Sequence, residues 1–213
     1  MEDPKKEYYR KRGALLVRNL KRRHFEACYC DTKEEALQYA LDQIGKEETI
    51  GWGGALSAQQ IGLMDALNEN GYHTYDRNQC RTDEEREQCM KNCMFADVFV
   101  TGANAISLTG EMVNIDGSGN RVSAIVYGPK KVLVIAGMNK VRDTLQEAVS
   151  RARTVAAPIN KQRFPNGDTP CLHTGTCSDC TSESCICNQI LITRHCRPAG
   201  RIRFILVGED LGF

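Results

Sequence analysis

Five of the chain's eleven cysteines stand in one short stretch, CLHTGTCSDCTSESCIC, which runs from Cys171 to Cys187. Their spacing is C-x5-C-x2-C-x4-C-x-C, and Cys196 lies a little further on. A C-x2-C pair lets two thiolates of one tight turn reach the same metal ion. Small, turn-forming residues fill the gaps, so the backbone can wrap closely around an ion or cluster. The stretch therefore predicts a thiolate site for zinc or for an iron–sulfur cluster.

The spacing helps to choose between these ligands. Zinc ribbons use two separated C-x2-C pairs, whereas this stretch has one pair with unequally spaced cysteines around it. That pattern favours a 4Fe–4S cluster, with zinc as the alternative. A loop of reduced, metal-free cysteines and a disulfide framework are the other possibilities.

The expected cellular compartment of the protein argues against a disulfide framework. The N-terminus, MEDPKKEYYRKRGALLVRNL, has positive charges but lacks the apolar segment and cleavage site of a secretory signal. We therefore expect a cytoplasmic protein, in which thiols stay reduced and clustered cysteines bind metals or take part in redox chemistry.

Composition limits the class of protein. The 213 residues are 41% hydrophobic and 26% charged, and the formal net charge is +1. Such a composition is typical of a globular domain, and the charge favours neither nucleic acid nor an anionic membrane. No run of about 18 apolar residues is present, so we expect no membrane span. We predict a single domain over 1–213, with an N-terminal helical region over 1–45 and a cysteine-rich insertion loop over 166–196.

Short apolar strands alternate with helices along the chain. DVFVTG (97–102) and KVLVIAG (131–137) have the continuous apolar character of strands that are buried on both faces of a parallel sheet. The segment 139–158 predicts a helix that ends at Pro158. Together the elements predict an α/β fold with a mainly parallel sheet flanked by helices. In such folds ligands bind at the carboxyl ends of the strands.

Two segments are expected at that edge. In GWGGALS (51–57), Gly51, Gly53 and Gly54 allow a close approach of the backbone, and Ser57 begins a helix whose N-terminus attracts anions. This predicts an anion-binding loop, although a plain tight turn explains it equally well. TGANAISLTGEMVNIDGSGNR (101–121) is dense in polar groups that a ligand could satisfy.

We single out three residues of that second segment. Asn104 and Thr109 are candidate ligand contacts, and Glu111 is the candidate general base or nucleophile.

Four segments together resemble the LUD (lactate utilization) domain family: GWGGALSAQQIGL, VTGANAISLTGEMVNIDGSGNRVSAIVYGPKKVLVIAGMNKV, TPCLHTGTCSDCTSESCIC and RIRFILVGEDLGF. The resemblance covers nearly the whole chain. It implies an α/β fold like that of the ribose-5-phosphate isomerase, glucosamine-phosphate deaminase and CoA-transferase group. A stand-alone branch of the family has a C-terminal cysteine cluster of the form C-x5-C-x2-C-x6-C. By that pattern the metal ligands are Cys171, Cys177, Cys180 and Cys187, and Cys185 is a spare.

The resemblance implies an iron–sulfur component of lactate or related 2-hydroxy acid oxidation. The lactate-operon component of similar size lacks the cysteine stretch, so lactate itself is implied less directly for this branch. No flavin or NAD fingerprint is present. Two alternatives stay open. One is a non-redox enzyme or binding protein for a phosphate- or carboxylate-bearing molecule, with a structural or Lewis-acidic metal. The other is a regulatory module whose cluster senses iron or oxidant.

The expected partners follow from these hypotheses. They are a small anionic metabolite, other iron–sulfur redox proteins and a second copy of the chain in a homo-oligomer.

Overall fold

The computed structural model of the protein describes residues 3–213. The helices are α1 (Pro4–Arg22), α2 (Lys33–Asp42), α3 (Leu56–Gln60), α4 (Leu63–Glu69), α5 (Asp83–Cys93), α6 (Asn120–Tyr127), α7 (Leu145–Arg151), α8 (Ala157–Lys161) and α9 (Pro170–Thr174). The strands are β1 (Glu26–Cys30), β2 (Thr49–Gly53), β3 (His73–Tyr75), β4 (Val98–Gly102), β5 (Ala105–Ser107), β6 (Met112–Asp116), β7 (Lys131–Gly137), β8 (Val141–Arg142), β9 (Gln189–Thr193) and β10 (Ile202–Val207). Short 3-10 turns lie at Arg77–Gln79 and Met138–Lys140.

Six strands form the main sheet in the order β1-β10-β7-β4-β2-β3. All its strand pairs are parallel. This confirms the predicted α/β fold with a mainly parallel sheet flanked by helices. The carboxyl ends of the neighbouring strands β2, β4 and β7 meet at one edge, where the candidate site lies.

The sheet is buried on both faces because its central strands are apolar throughout. On β7, Val132, Val134 and Ala136 pack with helices α1 and α6. Leu133 and Ile135 point to the other face and pack with α2, α3 and α4. Alternation of side chains along each strand thus builds two cores from one continuous apolar segment.

Helix α1 begins at a conventional cap. The Asp3 side chain accepts a hydrogen bond from Lys5 N at 2.9 Å, and Pro4 occupies the first turn, where its missing N–H costs nothing. Leu16 and Leu20 are fully buried against the sheet. Among residues 3–213, no helix is both long and apolar enough to cross a bilayer.

A smaller, mixed sheet has the order β8-β5-β6-β9. Strand β9 lies inside the predicted cysteine-rich loop over 166–196 and pairs antiparallel with β6. The predicted helical region over 1–45 likewise includes β1, which pairs with β10 in the main sheet. Both regions are therefore anchored to a sheet by a strand of their own.

The predicted helix over 139–158 is wrong at both ends. Helix α7 begins only at Leu145, because Thr144 and Glu147 form a capping box in which each side chain accepts from the other's backbone N–H, at 3.2 and 2.9 Å. At the other end the helical path continues through a π-helical turn (Ala152–Ala156) into α8. Pro158 stands in the first turn of α8, where a missing N–H is tolerated.

Candidate functional site

A polar pocket of about 310 Å³ opens at the carboxyl edge of the main sheet. Gly54 follows β2, Asn104 follows β4 and Lys140 follows β7, so three neighbouring strands each supply a lining residue. Arg121 of α6 lines the same pocket. The volume suits a small metabolite, and the position is where α/β sheets bind their ligands. We call it the cationic pocket.

Gly54 brings its backbone against the arginine. Its φ of +58° is favourable only for glycine. A Cβ at Gly54 would lie 2.6 Å from Arg121 Nη1. The glycine therefore keeps room beside the guanidinium.

The Arg121 side chain is largely buried, with 12% of its surface exposed, and it is fixed in position. Its Nη2 donates to Asn104 Oδ1 at 3.3 Å and to the carbonyl oxygen of Ile115. Burial lowers the pKa of Arg121, while Asp116, 3.8 Å from Nε, opposes that shift. Nη1 has no hydrogen-bond acceptor among residues 3–213. One arm of the guanidinium is thus available to an anion.

Lys140 is the second cation of the pocket. It is only 4% exposed, and its Nζ donates to Ser57 Oγ at 3.0 Å. No carboxylate in the described part of the chain pairs with it. Burial lowers the pKa of Lys140 to about 7, and the charges of Arg151 and Arg121 contribute to that decrease. The pocket therefore contains a lysine amine that is partly neutral at neutral pH.

A second, smaller cavity of about 70 Å³ lies in the cysteine stretch. All five cysteines of that stretch line it: Cys171, Cys177, Cys180, Cys185 and Cys187. Lys161 of α8 lines it too, and its Nζ donates to the carbonyl oxygens of Asn166 at 3.0 Å and Ser184 at 3.3 Å. Arg153, also in the lining, forms an ion pair with Asp179. We call this the cysteine cavity.

The donor set of the cysteine cavity suits a metal that binds thiolates. The cysteines are free thiols, and the adjacent Lys161 favours negative charge. Burial and the neighbouring Cys185, Cys177 and Cys171 raise the pKa of Cys187 to about 12. Across residues 3–213, however, no group of three or more His, Cys, Asp or Glu side chains is arranged to hold a metal ion. The chemistry of the residues therefore fits a thiolate-bound metal, whereas the present sulfur positions do not form a ligand cage.

Two further cysteines clarify the ligand count. Cys185 lines the cysteine cavity, and its Sγ accepts a hydrogen bond from Cys187 N at 3.3 Å. Cys196 lies elsewhere, in the core of the main sheet, where its Sγ accepts from Ile202 N at 3.2 Å. The cavity thus offers five thiols rather than four.

Ile186 lies between the two cavities and lines both of them. Its Cα would be 3.4 Å from a Cβ on Gly117, which also lines the cationic pocket. Asn188 Nδ2 donates to the Gly117 carbonyl at 3.1 Å. The cysteine stretch therefore packs directly on one wall of the cationic pocket.

Of the predicted ligand contacts, Gly54 and Asn104 line the cationic pocket. Ser57 is fully buried and reaches the pocket only through its hydrogen bond with Lys140. These three residues are therefore brought together at one site.

Gly51 and Gly53 have a different surrounding. A Cβ on Gly51 would lie 2.7 Å from Cys93 Sγ of α5, and one on Gly53 would lie 3.2 Å from Phe99 Cζ. Neither glycine lines the cationic pocket. Because these glycines lack a side chain, Cys93 of α5 can pack closely on Gly51, and Phe99 of β4 can pack closely on Gly53.

Glu111 and Thr109 do not line the cationic pocket either. Glu111 Oε2 accepts from Thr109 Oγ1 at 2.6 Å and from Ser107, and Oε1 pairs with Arg23, which directly follows α1. Burial raises the pKa of Glu111, but the hydrogen bonds from Ser107 and Thr109 and the Arg23 charge outweigh it, so the net shift is downward. A carboxylate held in this way is a weak base, and its role as a general base stays a prediction.

Sequence reasoning missed Lys140 and did not select Arg121. Lys140 is the third residue after the buried strand KVLVIAG, in a region where ligand-contacting residues are common. Placing it on a helix concealed that signal. Arg121 ends the polar segment 101–121 that the sequence placed at this edge, but nothing in the sequence distinguished it from the other polar residues there.

The parallel sheet, with the cationic pocket at its carboxyl edge, defines an α/β fold. The LUD domain matches residues 14–207, and the chain belongs to the LUD domain family. This confirms the resemblance seen in the sequence. Membership suggests a role related to lactate utilization.

One solved structure supports the fold. A DUF162 family protein from Deinococcus radiodurans has a TM-score of 0.51 at 9% identity, with 95% of this chain and 97% of that chain covered. Ribose 5 phosphate isomerase A from Neisseria gonorrhoeae has a TM-score of 0.34 at 19% identity, with 53% and 54% covered. A D-ribose-5-phosphate isomerase in complex with phospho-erythronic acid has a TM-score of 0.35 at 18% identity, with 64% and 66% covered. The two isomerase matches are partial, and at TM-scores below 0.5 they carry no argument. No curated protein matches the sequence.

Proposed function

We propose that this protein is an iron–sulfur component of lactate or related 2-hydroxy acid utilization. In this proposal Cys171, Cys177, Cys180 and Cys187 hold a 4Fe–4S cluster, and the cationic pocket binds a small carboxylate. A 4Fe–4S cluster supplies one-electron transfer when it is bound. The observation that carries the proposal is the contact of the two cavities through Ile186, which lines both.

Electrostatics supports the anion half of the proposal. Lys140 is buried, Arg121 is 12% exposed, and no carboxylate pairs with Lys140 within residues 3–213. A buried, uncompensated cation is costly, and an anionic ligand relieves that cost. A carboxylate would accept hydrogen bonds from Arg121 Nη1 and from the Lys140 amine, which orient it at the strand ends.

Sulfur chemistry supports the metal half. Five free thiols line one cavity beside a buried lysine, whose charge offsets that of thiolates. Because the present sulfur positions form no cage, metal binding requires the loop to adjust. Ile186 lies between Cys185 and Cys187, so that adjustment would also move Ile186, which lines the cationic pocket.

The decisive experiment is anaerobic purification and reconstitution of the full chain with iron and sulfide, followed by metal analysis and visible spectroscopy. We expect a brown protein with about four irons per chain. Cys177→Ser should lose iron, while Cys80→Ser, outside the cavity, should keep it. A colourless protein with stoichiometric zinc would contradict the iron–sulfur assignment.

The second candidate is a non-redox enzyme or binding protein for a phosphate- or carboxylate-bearing molecule. It is favoured by the fact that no cysteine lines the cationic pocket. Calorimetry of lactate and of inorganic phosphate against metal-free and reconstituted protein distinguishes the two functions. Equal affinity in both forms, together with a redox-silent metal site, would favour the second candidate.

A further inference from the structure

The Lys140 amine has features that anion binding alone does not require. It lines the cationic pocket from a buried position, and its hydrogen-bond partner is the neutral hydroxyl of Ser57. Lysines that only bind anions work well as exposed, fully charged groups. A buried amine without a carboxylate partner is instead in the state that nucleophilic lysines need.

The surroundings favour the neutral form of this amine. The positive charges of Arg151 and Arg121 act on it, and no acid in the described chain forms an ion pair with it, since Asp116 of the same pocket pairs with Arg121. Burial and these two charges lower the pKa of Lys140 to about 7. Near neutral pH a large fraction of the amine thus has a free lone pair.

The pocket also positions a reacting partner. Arg121 is held by Asn104 and Ile115, which leaves Nη1 beside Gly54 for a carboxylate. A 2-oxo acid has a carbonyl carbon directly next to its carboxylate, and it is the oxidised form of a 2-hydroxy acid. Arg121 and Lys140 line the same pocket, so one small molecule can contact both.

We propose that Lys140 captures the carbonyl carbon of a 2-oxo acid as an imine while Arg121 holds its carboxylate. The inference rests on the proposed function, because it requires that the cationic pocket accepts small carboxylates. The neutral Nζ attacks the carbonyl carbon, the C–N bond forms and the carbonyl π pair moves to oxygen, which takes up a proton.

The resulting carbinolamine then loses its hydroxyl group and the remaining amine proton as water, and the C=N bond forms. Carbon and nitrogen keep their total oxidation state, so the step needs no oxidant, reductant or further reactant. Ser57 Oγ, hydrogen-bonded to Nζ, can relay the proton. This role assigns Lys140 a covalent function toward 2-oxo acids in addition to electrostatic attraction.

The test is borohydride trapping on the full chain with pyruvate as the probe. Reduction converts the imine into a stable 1-carboxyethyl group on the lysine, which peptide mass spectrometry locates. Exposed lysines are almost fully protonated at neutral pH, so we expect modification of Lys140 to exceed that of the exposed Lys11 by at least about tenfold. The yield should rise as the pH passes through about 7.

Controls separate this inference from the proposed function. Lactate has no carbonyl and should give no adduct, and Lys140→Met should remove the adduct while Lys11→Met keeps it. If calorimetry detects pyruvate binding but the adduct is absent or spread evenly over lysines, the imine is refuted and the carboxylate pocket stands. If neither pyruvate nor lactate binds, the carboxylate assignment fails and the imine fails with it.

Discussion

Replacement of Lys140 by methionine offers a quantitative test of the cationic pocket. The pKa of Lys140 is lowered from 10.5 to about 7, mainly by burial. Each pKa unit corresponds to about 1.4 kcal/mol, so at and below neutral pH the buried charge costs at most roughly 5 kcal/mol of stability. Methionine has a similar shape and no charge. The Lys140→Met variant should therefore be more stable than the parent protein at pH 7.

The pH dependence has a definite sign. Between about 7 and 10.5 the unfolded chain binds a proton at this position that the folded chain does not, so the stability of the parent protein rises with pH. The advantage of Lys140→Met should shrink by roughly 3 kcal/mol between about pH 7 and pH 10. The loss of the Ser57 hydrogen bond does not depend on pH and cancels in that comparison.

Urea unfolding monitored by circular dichroism at several pH values measures this difference. Lys11→Met is the matched control, because the Lys11 side chain is 76% exposed and its replacement should give no such trend. If the difference between Lys140→Met and the parent protein stays constant over this pH range, Lys140 is fully charged in the folded protein. The account of the cationic pocket would then be wrong.

Two further predictions concern residues outside the pocket. Glu111→Gln should lower the free energy of unfolding by about 1–3 kcal/mol at pH 7, because it removes a carboxylate that pairs with Arg23. The pKa of Glu111 is lowered, so that loss should diminish as the pH falls below the ordinary carboxyl range; a pH-independent loss in urea titrations would refute the pairing. Gly51→Ala should cost about 1–3 kcal/mol because its Cβ would lie 2.8 Å from Cys93 Cα, whereas at Gly45 the nearest atom is 3.4 Å away. Equal melting temperatures for the two alanine variants would contradict this packing.

The sequence predicted the sheet well because its signals are local. Apolar strands such as KVLVIAG need both faces covered, and helices between them require parallel crossovers. The helix boundaries were less accurate. Thr144 and Glu147 form a recognisable capping box, yet the apolar pattern around Val141 concealed it, since Val141 belongs to a short strand.

Parts of the candidate site that depend on local sequence signals were predicted from the sequence, and parts that depend on distant segments were not. The five cysteines of 171–187 are neighbours in sequence, and a short loop brings such neighbours into one cavity. Gly54 and Asn104 follow sheet strands, so their place at the carboxyl edge could be inferred. Glu111 also follows a strand, β5, but that strand belongs to the smaller sheet and leads away from the cationic pocket.

The sequence by itself determined the element types, the parallel sheet and the clustering of thiols, because these depend on spacing and periodicity over short distances. Four of its segments also resemble the LUD domain family, which the match over residues 14–207 shows. Only the tertiary structure decided that Lys140 is buried with Ser57 as its hydrogen-bond partner and Arg121 nearby. The proton affinity of an amine depends on every charge and every water molecule around it. Those surroundings come from segments far apart in the chain, which meet only when the sheet is assembled.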